Sequence, residues 1–211
     1  MKMPTELKQG YERFRLERFR IEADRYKAVA EGQRPRTMIV GCADSRVDPA
    51  TIFSAAPGEL YVVRNVAALI PPCERGGGYH GTSAALEFAV KELKVSNIVV
   101  MGHDLCGGIA ASLMVAEKRP VGDFIAPWID QISGIRDELL ERGDVVDPSL
   151  RQQALERMAI QHSLDNALTF PFIQSAVESG RLTLHGAWFS IGVGELHWLD
   201  WDTGVFEHVG D

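Results

Sequence analysis

The sequence predicts an α/β fold with helices on both faces of a mostly parallel central sheet. Two short apolar runs, residues 37–40 and 97–101, carry this prediction. Neither run alternates with polar residues, as is typical of parallel strands that are buried on both faces. A long charged helix precedes the first run, and segments with the apolar spacing of helices fill much of the remaining chain.

The first element is a helix that Pro4, Thr5 and Glu6 should open and that should continue to about Ala30. Its apolar residues form two offset stripes. They are Leu7, Tyr11 and Phe14 in the first stripe and Leu16, Phe19, Ala23 and Tyr26 in the second. A helix with more than one apolar face must bury more than one face. We therefore expect residues 1–32 to form a helical arm that packs on a partner subunit.

The remaining elements follow from turn residues and apolar spacing. Thr82 caps a helix with an inward apolar face, and Cys106 opens another helix at Gly107 and Gly108. The other predicted elements are strands at residues 58–63, 181–188 and 194–199, a terminal hairpin around 202–204, helices at about 123–142 and 148–168, and a short helix after Pro171. The chain contains no internal repeat or linker, so residues 1–211 are predicted to form a single domain.

Composition narrows the partners and the compartment. A chain of 211 residues with 45% hydrophobic residues is long enough to bury one substantial core. Its net charge of −7 argues against nucleic acid or an anionic membrane as a partner, and it has no apolar stretch of the ~20 residues that a membrane span needs. Three cysteines indicate a reducing compartment. Charges recur from Glu6 to Lys27, where a signal peptide would be apolar, so we expect a cytoplasmic location.

Three residues that suit zinc lie just past the carboxyl ends of two predicted strands. Cys42 follows the first strand, and His103 and Cys106 follow the third. Two thiols and an imidazole suit the tetrahedral coordination of Zn²⁺, and three protein ligands leave a fourth position for water, as a catalytic zinc requires. In open α/β sheets this edge holds the binding site. The pattern therefore predicts one zinc ion per chain in an active site.

An acid and a base lie two residues apart beside the first thiol. Arg46 can hold Asp44 ionised through charge-assisted hydrogen bonds. A carboxylate in that state can orient a zinc-bound hydroxide toward a substrate carbon, which would make Asp44 an orienter and a proton acceptor. Two simpler interpretations remain open. A thiol such as Cys42 is often only a core residue, and Asp44 with Arg46 can be a structural ion pair.

Several motifs, taken in order, resemble those of the β-class carbonic anhydrases over nearly the whole chain. The matching stretches are Cys42-Ala43-Asp44-Ser45-Arg46-Val47, Pro57-Gly58-Glu59, Val63-Arg64-Asn65-Val66-Ala67, Gly81-Thr82, Val99-Val100-Met101-Gly102-His103 and Cys106-Gly107-Gly108. By this resemblance Cys42, His103 and Cys106 bind zinc, and Asp44 with Arg46 forms the catalytic dyad. The implied reaction is the reversible hydration of carbon dioxide to bicarbonate and a proton, with zinc-bound hydroxide as the nucleophile. The resemblance also implies a core strand order of 2-1-3-4 with an antiparallel edge strand, and a homodimer or a higher oligomer built from dimers.

The resemblance extends to a substrate pocket of the plant-like subtype. Gln33 matches a glutamine that reaches across the dimer in that subtype and hydrogen-bonds the substrate. Tyr61, Val66 and Phe88 fall where that subtype lines its small apolar pocket, and Gly107 is assigned to the same substrate site. Members with an inhibitory bicarbonate site carry a tryptophan where this chain has Ile39, so the open, non-allosteric subtype is favoured. Among the departures from the family pattern, Ala68 stands where the family often has asparagine.

Two other functions remain open at this point. The same zinc site could hydrolyse an analogue of carbon dioxide, such as carbon disulfide or carbonyl sulfide. Alternatively, the metal could serve only folding or assembly, in which case Asp44 and Arg46 would be dispensable. The side chains without an assigned role are Cys73, which is a spare thiol, and His162, His185, His197 and His208, which show no ligand spacing.

Overall fold

A computed structural model describes residues 2–76 and 78–210 of the chain. Its strands are β1 (Thr37–Cys42), β2 (Leu60–Asn65), β3 (Asn97–His103), β4 (Thr183–Ser190), β5 (Glu195–Leu199) and β6 (Phe206–His208). They form one sheet in the order β2-β1-β3-β4-β5-β6. The first four strands are parallel, and β5 and β6 are antiparallel additions at one edge. The predicted mostly parallel sheet, its 2-1-3-4 core and its antiparallel edge are confirmed.

Helices surround this sheet. The α-helices of the described residues are α1 (Thr5–Leu16), α2 (Arg18–Ile21), α3 (Ala23–Ala30), α4 (Pro49–Ile52), α5 (Gly81–Glu87), α6 (Gly107–Ala116), α7 (Ile125–Ile129), α8 (Ser133–Arg142), α9 (Pro148–Leu168) and α10 (Pro171–Glu178). A π-helical turn, Phe88–Glu92, continues α5, and a 3₁₀ turn, Asp130–Ile132, joins α7 to α8. The helix predicted at residues 123–142 is therefore divided, whereas α9 has its predicted bounds. Within the described ranges, no helix combines the length and the apolar character needed to cross a bilayer.

The prediction of one continuous N-terminal helix is wrong. The chain leaves helical geometry at Glu17 and Glu22, which separate α1, α2 and α3. The breaks allow aromatic rings from the two predicted stripes to meet: the ring centroid of Phe14 lies 5.9 Å from those of both Phe19 and Tyr26. A straight helix would hold these rings on different faces, so contact between the stripes favours a folded arm. None of the residues in these three helices is buried.

Alternate residues of the parallel strands enter two different cores. Met38 and Val40 of β1 pack into a cluster that includes Leu164 of α9, and Ile39 packs on the opposite face with Met101 of β3. All five side chains are almost completely buried. Because successive side chains of a strand point to opposite faces, burial at every position means that both faces are covered. This explains why the sequence lacks polar alternation here.

The carboxyl ends of β1 and β3 lie side by side. These strands pair in parallel, and Gly41 lies opposite Met101 in the ladder. Cys42 and His103 are therefore the last residues of two adjacent strands. Leu105 then adopts a positive φ of 52°, which turns the chain so that α6 begins at Gly107.

The start of α6 packs closely against a tight turn, Val66–Ala68, that follows β2. A Cβ atom placed on Gly108 would lie 2.7 Å from Cγ1 of Val66 and 2.9 Å from Cβ of Ala67. Ala67 and Ala68 both have positive φ values, 67° and 56°. This left-handed region costs a non-glycine residue about 1–2 kcal/mol. The turn therefore keeps its shape because its neighbours hold it there.

Gly108→Ala should lower the free energy of unfolding by about 1–3 kcal/mol, because the new methyl group overpacks this contact. Denaturant unfolding, followed by circular dichroism, measures the change. Gly107→Ala is the matched control, since nothing lies within 4 Å of a Cβ at that position. It should leave stability unchanged or raise it slightly, because alanine favours a helix more than glycine does. Equal stability of the two variants would contradict the proposed close packing.

Candidate metal centre

Three donor atoms converge at the edge where β1 and β3 end. The ligand atoms of Cys42, His103 and Cys106 all lie within 4.8 Å of one another, and the two Sγ atoms are 3.9 Å apart. All three side chains are buried. The structure thus brings these three residues together at the strand ends, in a cluster that could hold a metal ion.

The orientation of His103 leaves one ring nitrogen free for a metal. Its Nδ1 lies 2.6 Å from the carbonyl oxygen of Asp104, and a carbonyl can only accept, so Nδ1 is the donor. The Nε2 atom is buried and has no hydrogen-bond partner among the residues that the structure describes. Leaving a buried nitrogen unsatisfied costs about 1–3 kcal/mol. A metal ion accepts that lone pair, and a second-nitrogen hydrogen bond of this kind is typical of metal-binding histidines.

The two thiols form a hydrogen bond in which either sulfur can be the donor. This bond lowers the pKa of Cys42 to about 4 and raises the pKa of Cys106. The buried pair therefore favours one thiolate and one thiol. A divalent cation stabilises both thiolates and displaces that proton. Two thiolates and one imidazole nitrogen form a donor set that fits Zn²⁺.

Asp44 and Arg46 form the predicted pair next to this cluster. The guanidinium donates from Nε to Oδ1 at 2.9 Å and from Nη2 to Oδ2 at 2.7 Å, and the backbone N–H of Arg46 also donates to Oδ1. These hydrogen bonds hold the pKa of Asp44 well below its usual range. Arg46 Nη2 also donates to the carbonyl of Leu105 at 3.2 Å, so the pair is tied to the turn that precedes α6.

Arg64 holds the loop that follows β1 through hydrogen bonds to its backbone. Its Nε donates to the carbonyl of Cys42 at 2.8 Å, and its Nη2 donates to the carbonyls of Asp44 and Val47. Its Nη1 lies 3.6 Å from a carboxylate oxygen of Asp48. Its donors hold in place the backbone that carries the first thiol and the acid.

Glu156 is a residue of the site that sequence reasoning missed. It lies on α9, and its Oε1 accepts from the backbone N–H of Cys106 at 3.0 Å and from Nε2 of Gln152 at 3.0 Å. Its Oε2 accepts from the indole of Trp188 at 3.2 Å. Burial raises the pKa of this carboxyl group, although the hydrogen bonds oppose that effect. The available signal was an acid between Leu155 and Ala159 on the buried face of a helix.

The predicted substrate residues fall into three groups. Val66 lies against the start of α6, where Gly107 is exposed. Tyr61 and Phe88 form an aromatic pair with ring centroids 6.0 Å apart. Gln33 is exposed between α3 and β1, and its side chain makes no hydrogen bond within residues 2–76 and 78–210. The structure thus places Val66 and Gly107 together, and Tyr61 beside Phe88. Their role in substrate binding stays a prediction.

The chain is similar to known carbonic anhydrases in sequence. The model of the carbonic anhydrase family matches residues 37–196. Two curated relatives from Arabidopsis thaliana are each 34% identical over 88% of this chain: β carbonic anhydrase 5, chloroplastic, and β carbonic anhydrase 6, mitochondrial. The matched regions span 61% and 64% of those relatives, so the chain covers less than two thirds of their length.

Solved structures show the same likeness. The structure of the β-carbonic anhydrase CcaA superimposes with a TM-score of 0.90 at 30% identity, over 96% of this chain and 98% of that one. A β-carbonic anhydrase from Sordaria macrospora, described as tetrameric, has a TM-score of 0.82 at 27% identity, over 90% of this chain and 93% of that one.

The prediction of a cytoplasmic location is wrong. The two curated relatives are named chloroplastic and mitochondrial. The prediction rested on an odd number of cysteines and on charges near the N-terminus. Those features are compatible with any reducing compartment, so they do not identify the cytoplasm.

Glu156→Gln should weaken zinc binding about 10–100-fold, because the carboxylate that positions the Cys106 amide loses an acceptor and gains an NH₂ group facing other donors. Competition with a chelator measures the affinity, and the free energy of unfolding should fall by about 1–3 kcal/mol. Glu178→Gln is the matched control. Glu178 accepts from Gln174 at 3.0 Å, as Glu156 does from Gln152, but lies on the surface. Equal zinc affinity in the two variants would rule out the positioning role.

Proposed function

Because this chain belongs to the β-class carbonic anhydrases, we propose that it catalyses the reversible hydration of carbon dioxide to bicarbonate and a proton, with one zinc ion per chain. The observation that carries the proposal is the buried set of Cys42, His103 and Cys106 with an ionised carboxylate, Asp44, beside it. A metal that served only folding would not need a carboxylate held ionised at its edge.

Cys42, Cys106 and Nε2 of His103 would hold the zinc ion. When bound, zinc supplies Lewis acidity that lowers the pKa of water toward about 7, so that hydroxide is available at neutral pH. The protein contributes the fixed positions of its donors. The Asp104 carbonyl sets the ring of His103, and Glu156 sets the backbone of Cys106.

Asp44 would orient the attacking water. Its carboxylate can accept a hydrogen bond from the O–H group and so direct an oxygen lone pair at the carbon of carbon dioxide. Arg46 fixes both carboxylate oxygens, which limits the positions available to that hydrogen bond. Because the pKa of Asp44 is held low, the carboxylate is ionised at neutral pH and does not retain a proton. The proton released by hydration therefore passes on to solvent.

The residues near α6 suit both the substrate and the product. Carbon dioxide has no net dipole, so an apolar wall to which Val66 contributes accommodates it without desolvating polar groups. Tyr61 and Phe88 form a separate aromatic pair in this chain, and we propose that they line the same kind of pocket. Bicarbonate is an anion, and the amino terminus of α6 presents N–H groups that favour negative charge. Gly107 lies at this terminus, is exposed and has no side chain to block an approach. We assign Gln33 to the pocket of a partner subunit.

An oligomer is part of the proposal. The side chains of Leu16 and Ile21 in the N-terminal arm are 74% and 85% exposed, and Leu7 and Tyr11 are also more than half exposed. Apolar residues in this number on one short segment are typical of an interface. We propose that residues 1–32 pack on a partner subunit of a homodimer, or of a higher oligomer built from dimers, and that residues 1–211 form one domain. The Sordaria macrospora relative described as tetrameric supports assembly.

Asp44→Asn should keep one zinc ion per chain and lose at least about 100-fold in kcat for carbon dioxide hydration, because the amide cannot accept and orient as the carboxylate does. Stopped-flow assays on metal-quantified protein measure this. Asp137→Asn is the control, since Asp137 accepts from Arg136 at 2.8 Å in a similar ion pair on α8. Full activity of Asp44→Asn would rule out the role of the dyad. Inactivity of wild-type protein at full zinc occupancy would overturn the proposed function.

The position of Gln33 across a dimer can be tested with hybrid dimers. Gln33→Ala should lower kcat/KM about tenfold, the equivalent of one hydrogen bond to the substrate. In a hybrid of Gln33→Ala and Asp44→Asn chains, one site would combine an intact Asp44 with the partner's intact glutamine. Such hybrids, purified with two affinity tags, should recover about half of wild-type activity, as should the control hybrid of wild-type and Asp44→Asn chains. If Gln33 acts within its own chain, the hybrid falls about tenfold below the control.

A further inference from the structure

Two histidines meet on the antiparallel edge of the sheet. Their strands, β5 and β6, are not neighbours of β1 or β3, which carry Cys42 and His103. His197 of β5 lies directly opposite His208 of β6. The centroids of their rings are 5.6 Å apart, with an interplanar angle of 65°. Nothing in the proposed reaction uses either side chain. They show no ligand spacing in the sequence, because eleven positions separate two residues that only strand pairing brings together.

The ladder places these histidines at the type of position where side chains approach most closely. Antiparallel strands alternate between hydrogen-bonded and non-hydrogen-bonded pairs, and side chains are closer in the second type. The N–H of Val209 donates to the carbonyl of Leu196 at 2.8 Å, and that of Asp200 donates to Val205 at 2.9 Å. These bonds mark hydrogen-bonded pairs one and three positions from His197 in the alternating ladder, so His197 and His208 form a non-hydrogen-bonded pair. Their Cβ atoms are expected at the short end of the cross-strand range.

One histidine is held in place and the other is free to adjust. The ring of His197 packs edge-on against Trp188 with centroids 5.2 Å apart, and its side chain is only 18% exposed. His208 is exposed. Because the His197 ring is already held, only the His208 ring must be ordered when a metal binds, which limits the entropic cost of the site.

A carboxylate supplies a third donor. Glu195 lies two residues before His197 on β5, so its side chain is on the same face of the sheet. Its Oε2 is 3.7 Å from Nε2 of His197. Two imidazoles and one carboxylate are donors that zinc accepts at about 2.0–2.2 Å. The chain's net charge of −7 also favours a cation.

We propose that Glu195, His197 and His208 bind a second divalent transition-metal ion of the zinc class, separate from the candidate catalytic centre. Two imidazole nitrogens on one tetrahedral zinc lie about 3.3 Å apart, as follows from Zn–N distances of about 2.0–2.1 Å. The two ring centroids are 5.6 Å apart, so binding requires the exposed His208 ring to rotate toward His197. The guanidinium of Arg157, which lies 4.5 Å from the ring centroid of Trp188, is the nearby charge that opposes binding. The carboxylate of Glu195 offsets it.

The test is zinc uptake by the zinc-loaded full chain. Equilibrium dialysis against buffered free Zn²⁺ at pH 7.5 should give two zinc ions per chain in wild-type protein. His208→Ala should weaken the second equivalent by at least about tenfold, because loss of a direct ligand costs no less than loss of a supporting contact. The first equivalent and the hydration activity should stay unchanged, since His208 lies on β6 against His197 and, among the described residues, outside the candidate metal centre.

Glu207→Gln is the matched control. Glu207 precedes His208 on β6 but lies opposite Trp198, on the other face of the sheet. The substitution Glu207→Gln removes one negative charge from the same strand, and the variant should keep the second zinc ion. Absence of a second equivalent in wild-type protein would overturn the proposal. An equal second equivalent in wild-type and His208→Ala proteins would also overturn it, since the ion would then lie elsewhere. Both results are independent of whether the first zinc ion supports hydration of carbon dioxide.

Discussion

The parallel pairing of β1 with β3 is the constraint on which the rest of the site depends. It ends two adjacent strands at the same edge, so that the first thiol and the imidazole face each other before any loop is considered. The turn at Leu105 then brings Cys106, the residue immediately before α6, back to this edge. Arg46 donates to the carbonyl of Leu105, which ties the loop after β1 to the turn after β3. A change in the register of these two strands would separate all of these groups at once.

Two carboxylates at this edge have opposite surroundings and opposite consequences. Asp44 is bound through both oxygens by Arg46 and is held as an anion, ready to accept a hydrogen bond. Glu156 is enclosed by the core, where burial raises its pKa, and its oxygens are occupied by an amide, an indole and a backbone N–H group. Asp44 can therefore take part in the proposed reaction, whereas Glu156 holds the backbone of Cys106 in place. Both residues carry the same carboxyl group, so the difference between their roles follows from their solvent access and their hydrogen-bond partners.

The sequence pattern was sufficient to predict the elements that depend only on residues near each other in the chain. Apolar runs located the parallel strands, and the helix predicted at about 148–168 corresponds to α9. Motif spacing located the three metal donors.

The breaks at Glu17 and Glu22 could not be predicted, because they depend on rings that meet only after the arm folds. Glu156 was missed because its contact with Cys106 joins residues 50 positions apart. Nor does a sequence of two alanines indicate left-handed backbone, which usually requires glycine or asparagine. Ala68, which follows Ala67 in this turn, is such a case.

The contact between the Val66–Ala68 turn and the start of α6 also bears on how such a chain can diverge. One small volume is shared by Gly108, the methyl group of Ala67 and a branch of Val66. Enlarging position 108 while Val66 and Ala67 are present carries the clash, whereas a smaller residue at position 66 or 67 would first make room for it. Substitutions in this turn are therefore coupled to position 108 in their order of appearance. In an alignment of relatives, the signature would be correlated change in side-chain size across two segments that are about 40 residues apart in sequence.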